Sequence, residues 1–195
     1  MYHHLRGRLV EKNPTYVVLE CGGVGYVVHI SLTTFSKLPE EESCLLYTSY
    51  IVREDAQILF GFAEKSEREI FQMLITVSGV GANTARLILS SLTPKEVVSA
   101  ITSENVALLQ SVKGIGAKSA QRIIIDLKGK VLKTAIGEED KGAIKVDIGV
   151  RNEAVQALEV LGFNRNQVDK VVSKLLSVDA EMTVENIIKQ ALNQL

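Results

Sequence analysis

Nowhere in this 195-residue chain does an apolar run reach the roughly 18 residues of a membrane span, and the opening Met1-Tyr2-His3-His4-Leu5-Arg6 lacks the apolar stretch of a secretory signal. No membrane partner is expected, and the cytoplasm is the expected compartment. Cysteine is scarce too: Cys21 and Cys44 make neither a disulfide framework nor a metal knuckle, and His3, His4 and His29 show no ligand spacing with them. Packed or surface roles are the better reading for these side chains, and neither a metal nor another cofactor is expected. A Gly-Lys-Ser/Thr phosphate loop is also missing, which argues against ATP hydrolysis by the chain itself. What the chain does hold is 46% hydrophobic residues, enough to bury a sizeable core as one domain or as about two or three small ones.

One pattern of eight residues occurs twice, as Gly79-Val80-Gly81-Ala82-Asn83-Thr84-Ala85-Arg86 and as Gly114-Ile115-Gly116-Ala117-Lys118-Ser119-Ala120-Gln121, with an offset of 35. At that offset Leu74 falls on Leu109, Val77 on Val112, Ala82 on Ala117, Ala85 on Ala120 and Ile88 on Ile123, so the segment reads as an internal duplication. A tetratricopeptide array has a similar period, but it needs about three or more repeats to bury its faces, and its signature aromatics are missing. Gly-x-Gly at the start of a helix gathers unpaired backbone N–H groups at the positive end of the helix dipole, a site suited to phosphate. A dinucleotide fingerprint would begin the same way, yet Thr84 and Ser119 stand where its third glycine belongs. The segments before the loops, Glu67 to Val77 and Glu104 to Val112, also read as helix where that fingerprint needs a strand. Against the phosphate site stands a plainer reading, in which both glycine pairs merely turn a helical hairpin.

A net charge of −1 looks unsuited to nucleic acid until it is divided along the chain. Residues 1–64 hold five Lys/Arg against eight Asp/Glu, residues 65–133 ten against five and residues 134–195 seven against ten, giving −3, +5 and −3. The positive segment is the one with both glycine hairpins, as an electrostatic phosphate site requires. An excess of five is modest, so one copy should bind weakly and oligomerisation on the nucleic acid would multiply the contacts.

Five short runs near the start read as strands: Leu5 to Lys12, Tyr16 to Glu20, Tyr26 to Ile30, Cys44 to Val52 and Gln57 to Phe62. Asn13-Pro14 and Gly22-Gly23 punctuate them as turns, and a helical piece is expected near Thr33 to Leu38. These suggest a closed barrel of oligonucleotide-binding (OB) type, while a small sandwich would use the same strands. Arg53-Glu54-Asp55-Ala56 then forms the tip of a hairpin. Its two carboxylates could be solvated turn residues, or part of a Mg²⁺ site for which the sequence suggests no further acids, or charges that repel phosphates from a DNA-binding face.

The middle segment reads as helix throughout. Thr93-Pro94-Lys95-Glu96 joins an N-cap, a first-turn proline and a capping-box glutamate, which predicts a helix over Pro94 to Ile101, and Ser103 is expected to cap the next. After the hairpins, Ala82, Ala85, Ile88 and Leu89, or Ala117, Ala120, Ile124 and Leu127, fall on one apolar stripe. Thr84, Lys118, Ser119 and Arg122 are left to face a phosphate backbone, although Lys118 would serve equally as a solvated helix lysine. Residues 134–148, with two glycines, several charges and no clear period, read as a mobile tether. Beyond it, Val150 to Leu161, Arg165 to Leu176 and Thr183 to Leu192 predict three amphipathic helices, with Gly162 as a C-terminal cap and Thr183 as an N-cap. A small helical unit on a leash suits an adaptor that holds a partner near DNA. Leu161-Gly162-Phe163 is its candidate docking turn, unless Phe163 plugs the small core.

Together, Leu5-Arg6-Gly7, Gly22-Gly23-Val24-Gly25-Tyr26, Val52-Arg53-Glu54-Asp55-Ala56-Gln57 with Leu59-Phe60-Gly61-Phe62, and the two hairpins resemble the RuvA family of Holliday-junction-binding subunits. The resemblance covers nearly the whole length. The hairpin loops alone occur in many DNA-repair proteins, whereas their order with the Arg-Glu-Asp-Ala-Gln stretch is highly specific; the tether matches in position only. It implies an α+β chain with an OB-fold barrel and acidic pin over 1–64, a tandem helix-hairpin-helix domain over 65–133, a flexible linker over 134–148 and a three-helix, UBA-like domain over 149–195. It further implies a homotetramer, or two face-to-face tetramers, that holds a four-way junction open and square. The backbone grip would fall on the loops, with Gly79, Val80, Gly81, Asn83 and Thr84 in the first and Gly114, Ile115, Gly116, Lys118, Ser119 and Arg122 in the second. Family members often carry lysine where this chain has Asn83, which puts a charged contact there in doubt. The pin maps onto Glu54 and Asp55, which selects the electrostatic option. The C-terminal domain would bind RuvB, the hexameric ATPase that supplies the energy, and the RuvC resolvase is a further partner the resemblance admits. No active site is expected in the chain itself.

Two rivals share the hairpins. A helix-hairpin-helix glycosylase or lyase wants a catalytic aspartate well beyond its glycine loop, but Asp126 lies close to the second loop and on its helix. A duplex-binding module with no preference for junctions is the other.

Overall fold

The computed structural model describes residues 2–39, 43–139, 147–179 and 182–195. Strands β1 (His4–Lys12), β2 (Tyr16–Cys21), β3 (Val24–Ile30), β4 (Ser43–Val52) and β5 (Gln57–Phe62) follow the alternating runs of the sequence. Val17 and Leu19, Val28 and Ile30, Cys44 and Leu46 all point into one buried cluster, the period of two expected of strands with one face inward. The strands close in the order β1-β2-β3-β5-β4, with β3 and β5 parallel and the other pairs antiparallel. Because β1 pairs with both β2 and β4, no edge is left, and the sandwich alternative falls away. Gly22 and Gly23, both at positive φ, make the two-residue turn that sets Cys21 opposite Val24.

A short helix α1 (Leu32–Lys37) links β3 to β4, capped by the Ser31 hydroxyl. The chain then runs through α2 (Lys65–Leu74), α3 (Ala82–Ser91), α4 (Pro94–Thr102), α5 (Val106–Gln110) and α6 (Ala117–Glu139). The capping box at Thr93 and Glu96 forms as expected, with both reciprocal hydrogen bonds made. Two expectations need correction. Asn105, not Ser103, caps α5 through Leu108 N–H, because the chain reverses at Glu104 in a left-handed conformation (φ 55°), leaving Ser103 to close α4. Ala117 is exposed, so the stripe on α6 runs instead through Ala120, Ile123, Ile124, Leu127 and Val131.

The helices share one core, and the barrel wall completes it: Phe60 and Phe62 of β5 pack on Phe71 of α2 with ring centroids 5.1 and 4.9 Å apart. Buried Glu67 of α2 fixes the same junction. It accepts from the Ser31 hydroxyl and, at 2.8 Å, from Thr34 Oγ1, which itself accepts from Ala63 N–H at 3.0 Å. The Leu32 N–H donates to Ser90 Oγ at 3.1 Å, Thr33 Oγ1 to the Leu89 carbonyl at 2.6 Å and the Arg86 guanidinium to the Thr15 carbonyl at 2.8 Å. Residues 1–133 accordingly cluster as one compact unit.

The second unit, residues 134–195, contains α7 (Asp147–Val160), α8 (Arg165–Val178) and α9 (Val184–Leu192) around Ala154, Leu158, Val168, Val172, Ile187 and Ala191. Gly162 at φ 99° ends α7 with Phe163 N–H donating back to the Leu158 carbonyl at 3.1 Å, the Schellman arrangement. Thr183 caps α9 as expected. The tether expected over 134–148 needs revision at both ends: α6 continues through Glu139, since no proline interrupts its hydrogen bonding, and α7 begins at Asp147. The remainder of that expectation, 140–146, lies outside the described residues.

Candidate nucleic-acid interface

Both glycine loops have the same backbone. Val80 N–H closes on the Val77 carbonyl at 3.0 Å and Ile115 N–H on the Val112 carbonyl at 3.1 Å, while Gly79 and Gly114 each sit at φ 90°, which favours glycine. The following helices start alike, with Ala85 N–H on the Gly81 carbonyl at 2.9 Å and Ala120 N–H on the Gly116 carbonyl at 3.0 Å. The N–H groups of residues 82–84 and 117–119 therefore precede the first intrahelical bond and stand at the positive end of the dipole.

The second glycine of each pair has a different reason to be there. Gly81 lies at φ −82°, open to any residue, and a Cβ at Gly81 or Gly116 would meet no protein atom within 4 Å. Neither strain nor packing demands glycine. What its absence of a side chain leaves is bare backbone that a phosphate can approach closely, which weighs against the reading of these loops as plain turns.

Among the candidate side chains, Val80 and Ile115 turn inward and are buried in the helical core, so only their backbone can meet a ligand. Asn83, Lys118 and Arg122 are exposed, and Thr84 and Ser119 half-buried. Arg122 lies 3.9 Å from Asp126 one turn on, which partly commits both side chains to α6. Comparison at the offset of 35 exposes an asymmetry: the second hairpin shows Lys113, Lys118 and Arg122 where the first shows Ser78, Asn83 and Leu87, all six exposed. Lys113 lies outside the eight-residue motif, and only its pairing with Ser78 at that offset marks it in the sequence. Arg86, the one cation of the first loop motif, is spent on the Thr15 carbonyl, and burial lowers its pKa.

At the far end of the β4–β5 hairpin, Arg53 N–H closes on the Ala56 carbonyl at 2.8 Å, and Glu54 and Asp55 stand exposed between them. Neither carboxylate has an ion-pair partner among the described residues. Nor do they belong to any group of three or more potential metal ligands among those residues. Two uncompensated negative charges at a tip act on whatever approaches within a Debye length of about 8–10 Å.

In the second unit, Leu161 is exposed beside Val160 at 59% and 87%, whereas Phe163 packs on the three-helix core. The turn thus offers Val160 and Leu161 and keeps Phe163 as its plug. No helix among the described residues is long and apolar enough to cross a membrane.

Three family models match the chain in order: the RuvA N-terminal domain over residues 1–61, the SAM-like helix-hairpin-helix tandem over 71–130 and the RuvA C-terminal domain over 149–195. Over 195 residues, the whole of both chains, it is 58% identical to the Holliday junction branch migration complex subunit RuvA of Christiangramia forsetii. It is 53% identical to the protein of that name from Flavobacterium psychrophilum over 195 residues, again 100% of both chains. With the one from Parabacteroides distasonis the identity is 47% over 196 residues, also covering both chains fully.

Proposed function

The chain belongs to the RuvA family, and from that membership we propose that it is a non-catalytic DNA-binding subunit that recognises four-way Holliday junctions, holds them open and recruits the RuvB ATPase for branch migration in homologous recombination and repair. The observation that carries this reading is the pair of hairpins with one backbone geometry, each presenting helix-start N–H groups and a glycine that nothing in the fold requires. Phosphate is the ligand that such a surface suits. The grip is assigned to residues 79–84 and 113–122, and the sorting of strands to Glu54 and Asp55, whose charge repels backbones that would cross the centre.

A homotetramer, singly or as two tetramers on one junction, gives each of four arms its own pair of hairpins and gathers the acid tips. Such repetition multiplies a charge excess that is modest in one copy. Gel-shift competition at matched salt between a four-way junction and a duplex of equal length tests the reading. The junction should win by an order of magnitude or more, about 1.4 kcal/mol at least. Equal affinity would reduce the chain to a general duplex binder.

A further inference from the structure

Three tyrosines crowd one end of the barrel, at the foot of the β4–β5 hairpin that carries the acid tip. The Tyr2 ring meets Tyr50 at 5.4 Å between centroids and Tyr26 at 6.4 Å, edge to face in both cases. Tyr26 and Tyr50 share the strand parity of inward-facing Val28, Ile30, Cys44 and Leu46, so they close the barrel's mouth rather than decorate its outer wall. Tyr26 reaches the barrel core, whereas Tyr2 is 45% exposed. The N-terminal segment is held in place: Thr48 Oγ1 donates to the Tyr2 carbonyl at 2.8 Å and Thr48 N–H to the His3 carbonyl at 3.0 Å. The Tyr50 hydroxyl donates to Gln57 Oε1, and Gln57 pairs with Val52 as the last rung before the tip at residues 53–56. Val52 is itself 62% exposed at this rim.

We propose that this tyrosine mouth is a stacking site for an unpaired nucleobase, taken from a strand that the acid tip has parted from its complement. The inference rests on the junction-binding reading above. Three observations converge on a base as occupant. Tyr2 meets both neighbours edge to face yet is 45% exposed, so ring surface is left to solvent, and bases of any sequence stack on exposed aromatic surface. The two carboxylates at the tip repel phosphate, so a strand end or loop reaching the foot of the hairpin is favoured base first. Finally, the platform is preorganised by Thr48 and Gln57, which lowers the ordering cost of binding.

The test uses the full-length chain with four-way junctions carrying 5-iodouracil at either the crossover or the middle of an arm. After irradiation, the crosslinked residues are mapped by mass spectrometry, and a gel shift of the same samples reports binding. Crossover probes should label Tyr2, with Tyr26 or Tyr50 as minor sites, and arm probes should not. Tyr2→Leu should lower the crossover yield at least about fivefold, and Tyr2→Phe, which keeps the ring, should restore it. A junction that shifts normally while Tyr2 stays unlabelled overturns the proposal and leaves the mouth to packing between copies of the chain. Equal labelling from arm and crossover positions also overturns it. Failure to shift any junction removes the junction-binding reading itself and the stacking site with it.

Discussion

Glu67 and Lys118 show how differently one charged residue can serve this molecule. Glu67 is fully buried, and desolvation raises its pKa above the ordinary carboxylate value despite the hydrogen bonds from Ser31 and Thr34. A raised folded-state value means that the fold favours the protonated form. The contribution of Glu67 is therefore fully present below the unfolded carboxylate value of about 4.3 and declines as pH rises through the raised one. Glu67→Gln is neutral at every pH and keeps a polar end among the same hydroxyls, so its stability relative to the parent should rise from acid to neutral pH in denaturant titrations. Glu67→Leu should follow the same pH trend but lie about 1–3 kcal/mol lower for each hydroxyl left unpaired. Lys118 is a surface charge on the better-equipped hairpin. Anisotropy titrations over a salt series should show Lys118→Ala weakening junction binding and lowering the salt slope by about one per bound copy. Asn83→Lys should move both quantities the opposite way, because it gives the first hairpin the cation it lacks.

On the function proposed above, the hairpin of β4 and β5 would sort the strands, and its tip carries two acids with no ion-pair partner among the described residues. Each charge facing a phosphate in water is worth about 1 kcal/mol at 4 Å. Replacing Glu54 by Gln and Asp55 by Asn together should thus leave junction binding unchanged or tighten it modestly, more at low salt than at high. Branch migration driven by the partner ATPase should change at the same time, and unchanged rates would count against the pin. Much at this scale was legible in the sequence because it is written locally. The five strands follow from alternation bounded by turn residues, and α4 from Thr93, Pro94 and Glu96 within one turn. The boundary at Asn105 is not legible locally because Ser103 and Asn105 are both good caps, and the left-handed Glu104 between them decides which one faces the helix. The exposure of Ala117 is not legible either, because the duplication suggests a buried partner for Ala82, while α6 rotates its stripe toward Ile123. The Glu67 network and the tyrosine mouth left no local signal at all. Barrel closure and the packing of α2 against α1 bring their members together from 24 to 48 positions apart.

At the scale of the whole molecule the chain divides its work between units with separate cores, residues 1–133 and residues 134–195. The segment that holds both glycine hairpins is net positive and the C-terminal segment net negative, so only the first has the electrostatics for a phosphate backbone. Removing residues 149–195 should therefore leave junction affinity within about threefold, a change of less than 1 kcal/mol, and abolish migration stimulated by the motor. A finer version separates docking from folding. Val160 and Leu161 are exposed, so Val160→Ser with Leu161→Ser should cost the three-helix core little, whereas Phe163→Ser should unfold it. Loss of stimulation in the double variant at unchanged thermal stability would place the docking surface on that turn. Excess motor then distinguishes two ways in which the unit can act. If it only tethers, it supplies an effective concentration in the millimolar range, and raising free ATPase should restore migration by the truncated chain in proportion to its concentration. If it also alters the motor's activity, migration should plateau below the intact level however much ATPase is added, because no concentration replaces a contact that has been deleted.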